Sequence, residues 1–512
     1  MSTSRQRKLI NRKRRIAYRL RERVWAPQDE PMLKASNIHY ELSDRVRGLG
    51  TGGIGALHLL ARRSGLIDAI DRRLHLLKVH LPYHESDHVL NLAYNAACGG
   101  TCLEDLELRR NDESYLDALG AQRIPDPTTA GDFCRRFTVE DIEGLQDAIN
   151  ETRIGVWRRQ PAEFFDQATL DVDGALAPTD AECKDGIGLA YDGTWGYHPL
   201  IVSLANTQEP LYLSNRSGNR PSHEGAAAYL DRAIDLCRGA GFRQVRMRGD
   251  TDFSQTAHLD RWDDAGDVTF LFGLNAMRNL IERANALPKS TWKTLARPAK
   301  HKVKTAPRAR PENVKARIVV DREYKNIRLQ GEQVAEFAYR PTACQREYRV
   351  IVLRKKLSVE RGQQVLFEDY RYFFYLTNDR GASAADLVFE ANGRCNQENL
   401  IAQLKSGVQA LNMPVDSLVS NWAYMVMASL AWTLKAWFAL RLPEGGRWAA
   451  KHRQEKQSVL RMEFKRFVNA FIRVPCQMVR AGRRIVYRLL AWNPWQSVFV
   501  RGLAALGCPL RC

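Results

Sequence analysis

The chain has 512 residues, 45% hydrophobic and 26% charged, the balance of a soluble globular protein long enough for about two to four domains. Lysine and arginine exceed aspartate and glutamate by 77 to 58, a formal net charge of +19, and an excess of that size points to a polyanionic partner, most often nucleic acid. The ten cysteines are scattered singly, without the spacing of a zinc site, and are expected to be reduced, mostly buried thiols.

Residues 1–40 read as a basic arm. Arg12, Lys13, Arg14, Arg15 and Arg19 crowd it, and no apolar stretch of a secretory signal follows. It is expected to be a solvated tail, able to grip phosphates without reading sequence. Residues 41–160 form a helical region, expected to bind DNA. GALHLLARRSGLIDAIDRRL and HVLNLAYNAACGG repeat apolar residues at three and four, and DPTTAGDFCRRF offers Thr128 or Thr129 as an N-cap, with Arg135 and Arg136 exposed. Periodicity alone leaves a helix-turn-helix-like module and a plain helical bundle equally open.

The pattern changes in residues 161–284. LDVDG, HPLIVSLAN, EPLYLSN, QVRMRG and VTFLFGL read as strands, and SHEGAAAYLDRAIDLCRGAGF as a helix with a glycine stop. Together they predict an α/β core with acids at strand ends, where open sheets place their sites. Residues 285–370 form a basic, β-rich insertion. LPKSTWKTLARPAKHKVKTAPRARPENVKAR is too broken for a long helix, and RIVVDREY, QVAEFAYR, YRVIVLRK and QQVLFEDY follow as strand-like runs. Residues 371–412 return to the core with YRYFFYLTN and the helix NGRCNQENLIAQLKSG. Residues 413–512 are basic and helical. Within them, NWAYMVMASLAWTLKAWFAL has the length of a membrane span, but Asn421, Ser429, Thr433 and Lys435 interrupt it, so a buried core helix is expected.

Three acidic points carry possible chemistry: Asp171 with Asp173, Asp250 with Asp252, and Glu398. At i,i+2 on a continuing strand, both members of a pair share one face. Carboxylates gathered from separate segments repel one another unless a divalent cation neutralises them, and Mg²⁺ takes one or two carboxylates plus phosphate oxygens. On a helical wheel Arg394, Glu398 and Lys405 fall within about 40° of one another, with Leu400 and Leu404 on another side. Cations flanking an acid suit DNA phosphates crossing a metal site. His198, beside a strand, reads as a structural residue.

The stretches LDVDG, GYHPLIVSLANTQEPLYLSNRSGNRPSHEGAAAYLDRA, RGDTDFS and FEANGRCNQENLIAQLK resemble the ribonuclease H-like catalytic domain of DDE transposases from bacterial insertion sequences. The resemblance is to the insertion-sequence family numbered thirteen-eighty in particular, within a broader group that carries a β-rich insertion before the Glu. Arg394, Glu398 and Lys405 match that group's Tyr-x2-Arg-x3-Glu-x6-Lys signature, with Ala391 at the Tyr position. The resemblance implies an α/β fold, with a ribonuclease H-like core and a mainly β insertion between helical N-terminal and C-terminal regions. It makes Asp173, Asp250 and Glu398 the catalytic acids and ligands of Mg²⁺, for which Mn²⁺ can substitute. Asp171 remains an alternative to Asp173, because Ala175 stands where the family often has Thr. Arg394 and Lys405 become DNA contacts. The implied enzyme binds the inverted repeats of its element as double-stranded DNA, cleaves there and joins the 3′ ends to target DNA. It works as a homodimer in a synaptic complex, away from membranes, on the nucleoid in the bacterial cytoplasm. A non-catalytic DNA-binding remnant and a nuclease without strand transfer are the alternatives.

Overall fold

The computed structural model describes residues 3–19, 38–39, 46–80, 82–297, 317–318, 321–322, 325–361, 364–481 and 484–508. The arm from 20 to 37 and most of the Lys/Arg/Pro-rich stretch, 298 to 316, lie outside them. Thr3–Arg19 is a helix, not the expected tail, and Arg12 Nη1 donates to the Ala491 carbonyl at 3.4 Å. Helices then dominate to Val139–Trp157 (α1). The helix Pro127–Arg135 is capped by Asp126, whose carboxylate accepts from Thr129 N at 2.8 Å, and not by Thr128 or Thr129. Pro127 explains the correction, since its fixed φ suits the first helical position and puts the cap one residue earlier.

Apolar alternation builds the centre. Gln167–Gly174 (β1), Leu200–Leu204 (β2), Glu209–Ser214 (β3), Gln244–Gly249 (β4) and Val268–Leu274 (β5) lie in the order β3-β2-β1-β4-β5. β1, β4 and β5 are parallel; β2 is antiparallel to β1, and β3 to β2. Register assigns the two faces. Val172 stands beside Val202, and Val202 beside Tyr212, whose ring meets Tyr229 on the helix Ala226–Ala240 (α2). Asp171 stands beside Ser203 on the opposite face, which helices from the end of the core cover.

Beyond β5 the sheet grows outward. Lys325–Tyr339 (β6), Tyr348–Arg361 (β7) and Gln364–Thr377 (β8) form an antiparallel meander, each strand on the order of 50 Å long at 3.4 Å per residue. Only the end of β8, Phe374–Thr377, pairs with β5. β8 therefore crosses position 370 unbroken, and the expected border between insertion and core falls inside a strand. RIVVDREY is not a strand at its start: residues 317, 318 and 321 are helical, with Arg317 3.6 Å from Asp321 at i,i+4. The helices Ala384–Gly393 (α3) and Cys395–Ser406 (α4) follow β8. The tail is not purely helical either. Cys476–Ala481 and Arg484–Leu489 form a hairpin that pairs with Arg47–Leu49, joining the two ends of the chain.

Leu418–Leu440 (α5) is long and apolar enough to cross a membrane, and it is buried within the protein from Ser420 to Leu440. Its tryptophans tie it to the edge of the sheet: Trp422 Nε1 donates to Leu213 O at 2.6 Å, Trp432 to Gln208 O at 2.5 Å and Trp437 to Glu209 Oε1 at 2.8 Å. Lys435 is fully buried among them. Its ammonium donates to Leu460 O at 2.7 Å and lies 3.6 Å from the Trp432 ring centroid, and burial pushes its pKa down to about 7. The unfolded chain holds that proton up to an ordinary 10.5, so the charged form costs stability at low pH, and the cost fades as pH rises from 7 towards 10.5. Lys435→Met is therefore expected to stabilise the fold by on the order of 1–3 kcal/mol near pH 6 and by far less near pH 10, measured by melting across that range.

Candidate active site

β1 and β4 are neighbouring parallel strands, with Asp171 opposite Arg248. Two residues further on, Asp173 and Asp250 therefore leave the sheet side by side at its carboxyl edge, about 5 Å apart along the hydrogen-bonding direction. The Asp173 carboxylate is 14% exposed, and its Oδ1 accepts from Gly174 N at 2.9 Å. Asp250 caps the turn Thr251–Phe253, accepting from Asp252 N at 2.9 Å. That turn ends the strand, so Asp252 is carried away from the face of Asp250 and is exposed. The expectation of one shared face holds for Asp171 and Asp173 and fails for Asp250 and Asp252.

Asp171 is committed elsewhere. Its carboxylate is 1% exposed and takes both prongs of a buried guanidinium, Arg248 Nε at 2.7 Å and Nη2 at 2.8 Å. Arg248 Nη1 also donates to Glu390 O on α3, at 3.1 Å. Arg246, two residues earlier on β4, holds the Glu390 carboxylate at 2.9 and 2.7 Å and Asp379 at 2.7 Å. Sequence reasoning missed these arginines. Their signal was RMRG, two cations at alternate positions of an otherwise apolar strand.

The expected single helix is two. α3 ends and α4 begins at Arg394, where the chain tightens into i,i+3 bonds from Arg394 N to Ala391 O and from Gln397 N to Arg394 O. The break aims Arg394 at the acids. Its Nη1 donates to Asp173 Oδ2 at 2.7 Å, and its Nη2 lies 3.8 Å from Glu398 Oε1, one turn on. Glu398 is 63% exposed. Leu400 and Leu404 are buried as expected, and so is Gln397, which was missed. Gln397 Nε2 donates to Ile201 O at 3.2 Å and its Oε1 accepts from Ser203 Oγ, fastening α4 to β2.

Electrostatics sharpen the picture. Burial pushes Asp173 up to about 6, with the Asp250 charge adding to it and Arg394 opposing. Burial also raises Asp250, helped by Asp252 and Glu398 and opposed by Arg394. Against a burial that disfavours its own charge, the three acids hold Arg394 above its usual range. Lys405 is exposed on α4, and among the described residues no carboxylate lies within ion-pair distance of it. His198 is buried and hydrogen-bonded as a structural residue should be, its Nδ1 donating to Arg220 O at 3.1 Å. It lies so close over Gly174 that a Cβ there would fall 2.6 Å from Nε2, so a larger residue beside Asp173 would displace the imidazole.

The DDE domain of transposases, group 1, matches residues 49–508. The chain belongs to the DDE transposases. No curated protein matches it. Among solved structures, the piggyBac transposase synaptic complex with hairpin DNA, determined by cryo-EM, is 9% identical over 83% of this chain and 82% of that one. Its TM-score of 0.35 is too low to bear on the fold or the chemistry.

A DDE transposase is a DNA-cleaving and DNA-joining enzyme, and its family usually works with divalent metal ions. The residues of this transposase fit such an ion. Asp173 and Asp250 are oxygen donors on adjacent strand ends, both burdened by burial and like charge, and Glu398 is exposed on a helix beside them. The only described residues that bring three potential ligand atoms within 4.8 Å are His80, His84 and Glu85. Glu85 is engaged by ordinary hydrogen bonds, 3.1 Å from His80 Nε2 and accepting from Leu76 N and Leu77 N, and the His84 ring stacks on His80 with centroids 4.2 Å apart.

Stability separates the two aspartates of LDVDG. Asp171→Ala leaves Arg248 buried without its partner and is expected to cost about 3–5 kcal/mol in denaturant unfolding. Asp173 holds its proton to about pH 6 when folded and to an ordinary 3.8 when unfolded, so its ionisation removes stability as pH rises through that window. Asp173→Asn is expected to raise the melting temperature at pH 7, with the gain shrinking towards pH 4.

Proposed function

We propose that this transposase has a ribonuclease H-like catalytic core in which Asp173, Asp250 and Glu398 are the catalytic acids. On this reading it belongs to the insertion-sequence family numbered thirteen-eighty, binds its element's terminal inverted repeats as duplex DNA, cleaves them and joins the 3′ ends to target DNA. The observation that carries the proposal is that Arg394 bonds Asp173 and lies 3.8 Å from Glu398, with Asp250 at the strand end beside Asp173, at the carboxyl edge of a sheet ordered β3-β2-β1-β4-β5. Asp171 is the weaker choice for the first acid, because Arg248 occupies both of its oxygens.

The chain's residues divide the work. Asp173 and Asp250 would hold Mg²⁺ or Mn²⁺ through carboxylate oxygens, with Glu398 completing the set. Such an ion, when bound, would supply Lewis-acid activation of a water or 3′-hydroxyl and charge for the leaving oxygen. Lys405, exposed on α4, grips the DNA backbone as a point charge, and Arg394 offers a fork suited to phosphate. Gln397 and Arg248 keep these groups in place. Two ends handled together require two protomers in the synaptic complex.

A strand-transfer assay with pre-cut ends, run with Mg²⁺ and with EDTA, tests the reading. Joined products are expected only with the metal, while end binding survives EDTA. Glu398→Gln should fold and bind DNA as tightly as wild type or slightly tighter, because a carboxylate facing phosphate repels it, yet lose cleavage by on the order of a thousandfold. Lys405→Ala should keep partial activity that recovers at lower salt. An active Glu398→Gln enzyme, or full cleavage in EDTA, would end the three-acid assignment; cleavage without joining would leave a nuclease.

A further inference from the structure

We propose that Arg394 is a built-in counter-cation that keeps divalent metal off the acids until a DNA phosphate draws its guanidinium away, so that DNA and metal bind cooperatively. The inference rests on the reading of Asp173, Asp250 and Glu398 as the metal ligands, and it concerns how that site is regulated.

Both oxygens of Asp173 are already engaged, Oδ1 with Gly174 N at 2.9 Å and Oδ2 with Arg394 Nη1 at 2.7 Å. The second one meets a full positive charge that is itself only 19% exposed. A dication approaching Asp173 therefore meets a cation at contact distance, in surroundings too dry to screen the repulsion. The arginine also has reason to stay. Its charge is held by Asp173, Asp250 and Glu398 together, and without it the first two would face each other across neighbouring strand ends with no positive group between them.

The same residue is built to leave. It stands at the break between α3 and α4, outside the regular hydrogen bonding of either helix. Its Nη2 is 3.8 Å from Glu398, an ion-pair distance longer than a hydrogen bond, so the fork is only half committed. A phosphate oxyanion accepts a guanidinium fork as well as a carboxylate does. A backbone phosphate arriving beside Lys405 and Arg394 brings negative charge to replace what the arginine gives up. Asp173 Oδ2 is then released to a metal in the same event. Coupling of this kind is reciprocal: the phosphate raises the affinity for the metal, and the metal raises the affinity for the phosphate by the same factor.

The test measures Mn²⁺ binding to the full chain by electron paramagnetic resonance, with and without a saturating short duplex and corrected for Mn²⁺ bound by the duplex alone. Wild type is expected to bind Mn²⁺ weakly by itself and at least about tenfold more tightly with duplex. Arg394→Gln, with the counter-cation gone, should bind Mn²⁺ about tenfold more tightly than wild type without DNA, and duplex should then add less than about threefold. Its melting temperature should fall without metal and recover with Mn²⁺ by more than wild type gains. Equal or weaker Mn²⁺ binding by Arg394→Gln without DNA overturns the counter-cation role and leaves the three-acid reading standing. No Mn²⁺ binding by either protein, with or without DNA, overturns both. If Arg394→Gln does not fold, Arg394→Lys, which keeps the charge and loses the fork, carries the test. Duplex should then tighten Mn²⁺ by less than about threefold, and a duplex effect as large as in wild type overturns the role.

Discussion

The buried pair of Asp171 and Arg248 is the interaction on which the geometry of the acid edge depends. A guanidinium taken out of water costs several kcal/mol unless its charge and its N–H groups are matched. Here the match is complete on one side, with two parallel bonds to Asp171, and continues on the other to the Glu390 carbonyl of α3. This fixes three things together: the parallel register of β1 and β4, the position of α3 over the sheet, and hence the start of α4. Arg246 adds a second clamp from the same strand to the Glu390 side chain. Asp173 and Asp250 emerge side by side because the pair two residues behind them admits no slip.

Two buried carboxylates with different partners stand two residues apart. Asp171 takes both prongs of the Arg248 guanidinium, and burial raises its pKa all the same. Asp173 is less buried, yet it is pushed up to about 6, because one arginine shared with two other acids does not repay its desolvation. A buried carboxylate whose one counter-ion is shared with other acids is a candidate for chemistry. The neighbouring contacts tighten the constraint. His198 presses onto Gly174, Gln397 anchors α4 to β2, and neither helix nor strand can retreat to relieve the acids.

Much of this was legible in the chain because short-range periodicity encodes it. LDVDG, RMRG and VTFLFGL are strands, Leu400 and Leu404 face the core, and NWAYMVMASLAWTLKAWFAL is a buried helix, as their patterns predict. Asp173 and Glu398, from distant segments, both lie within 4 Å of Arg394, and Asp250 stands at the strand end beside Asp173. What the pattern hides is partnership at a distance. Nothing local says that Arg248 answers Asp171, or that Gln397 at a core-facing helical position answers Ser203. Nor does a wheel reveal the break at Arg394, which needs only one tightened turn. CQMVRAGRRIVYRL alternates like a hairpin, but it is rich in arginine and its third strand, Arg47–Leu49, lies at the far end of the sequence, so the tail read as helical. RIVVDREY misled for the opposite reason: its β-branched residues suggest a strand, while an ion pair at i,i+4 favours a helical turn.

The joining of the two ends has a consequence for how the protein is made. Arg63 donates to the carbonyl of Leu506, 443 residues later, and Arg47–Leu49 waits for Cys476–Met478 to complete its sheet. At roughly 5–20 residues per second, a ribosome delivers that far end about 20–90 s after the near one. Throughout that interval Arg47–Leu49 is an unpaired edge, and the three acids are all synthesised before it closes. The stretch that closes the amino-terminal region is thus translated after all three acids. A message cut short after the codon for Glu398 but before the hairpin yields a chain with every acid and an open strand edge, a natural target for aggregation or proteolysis.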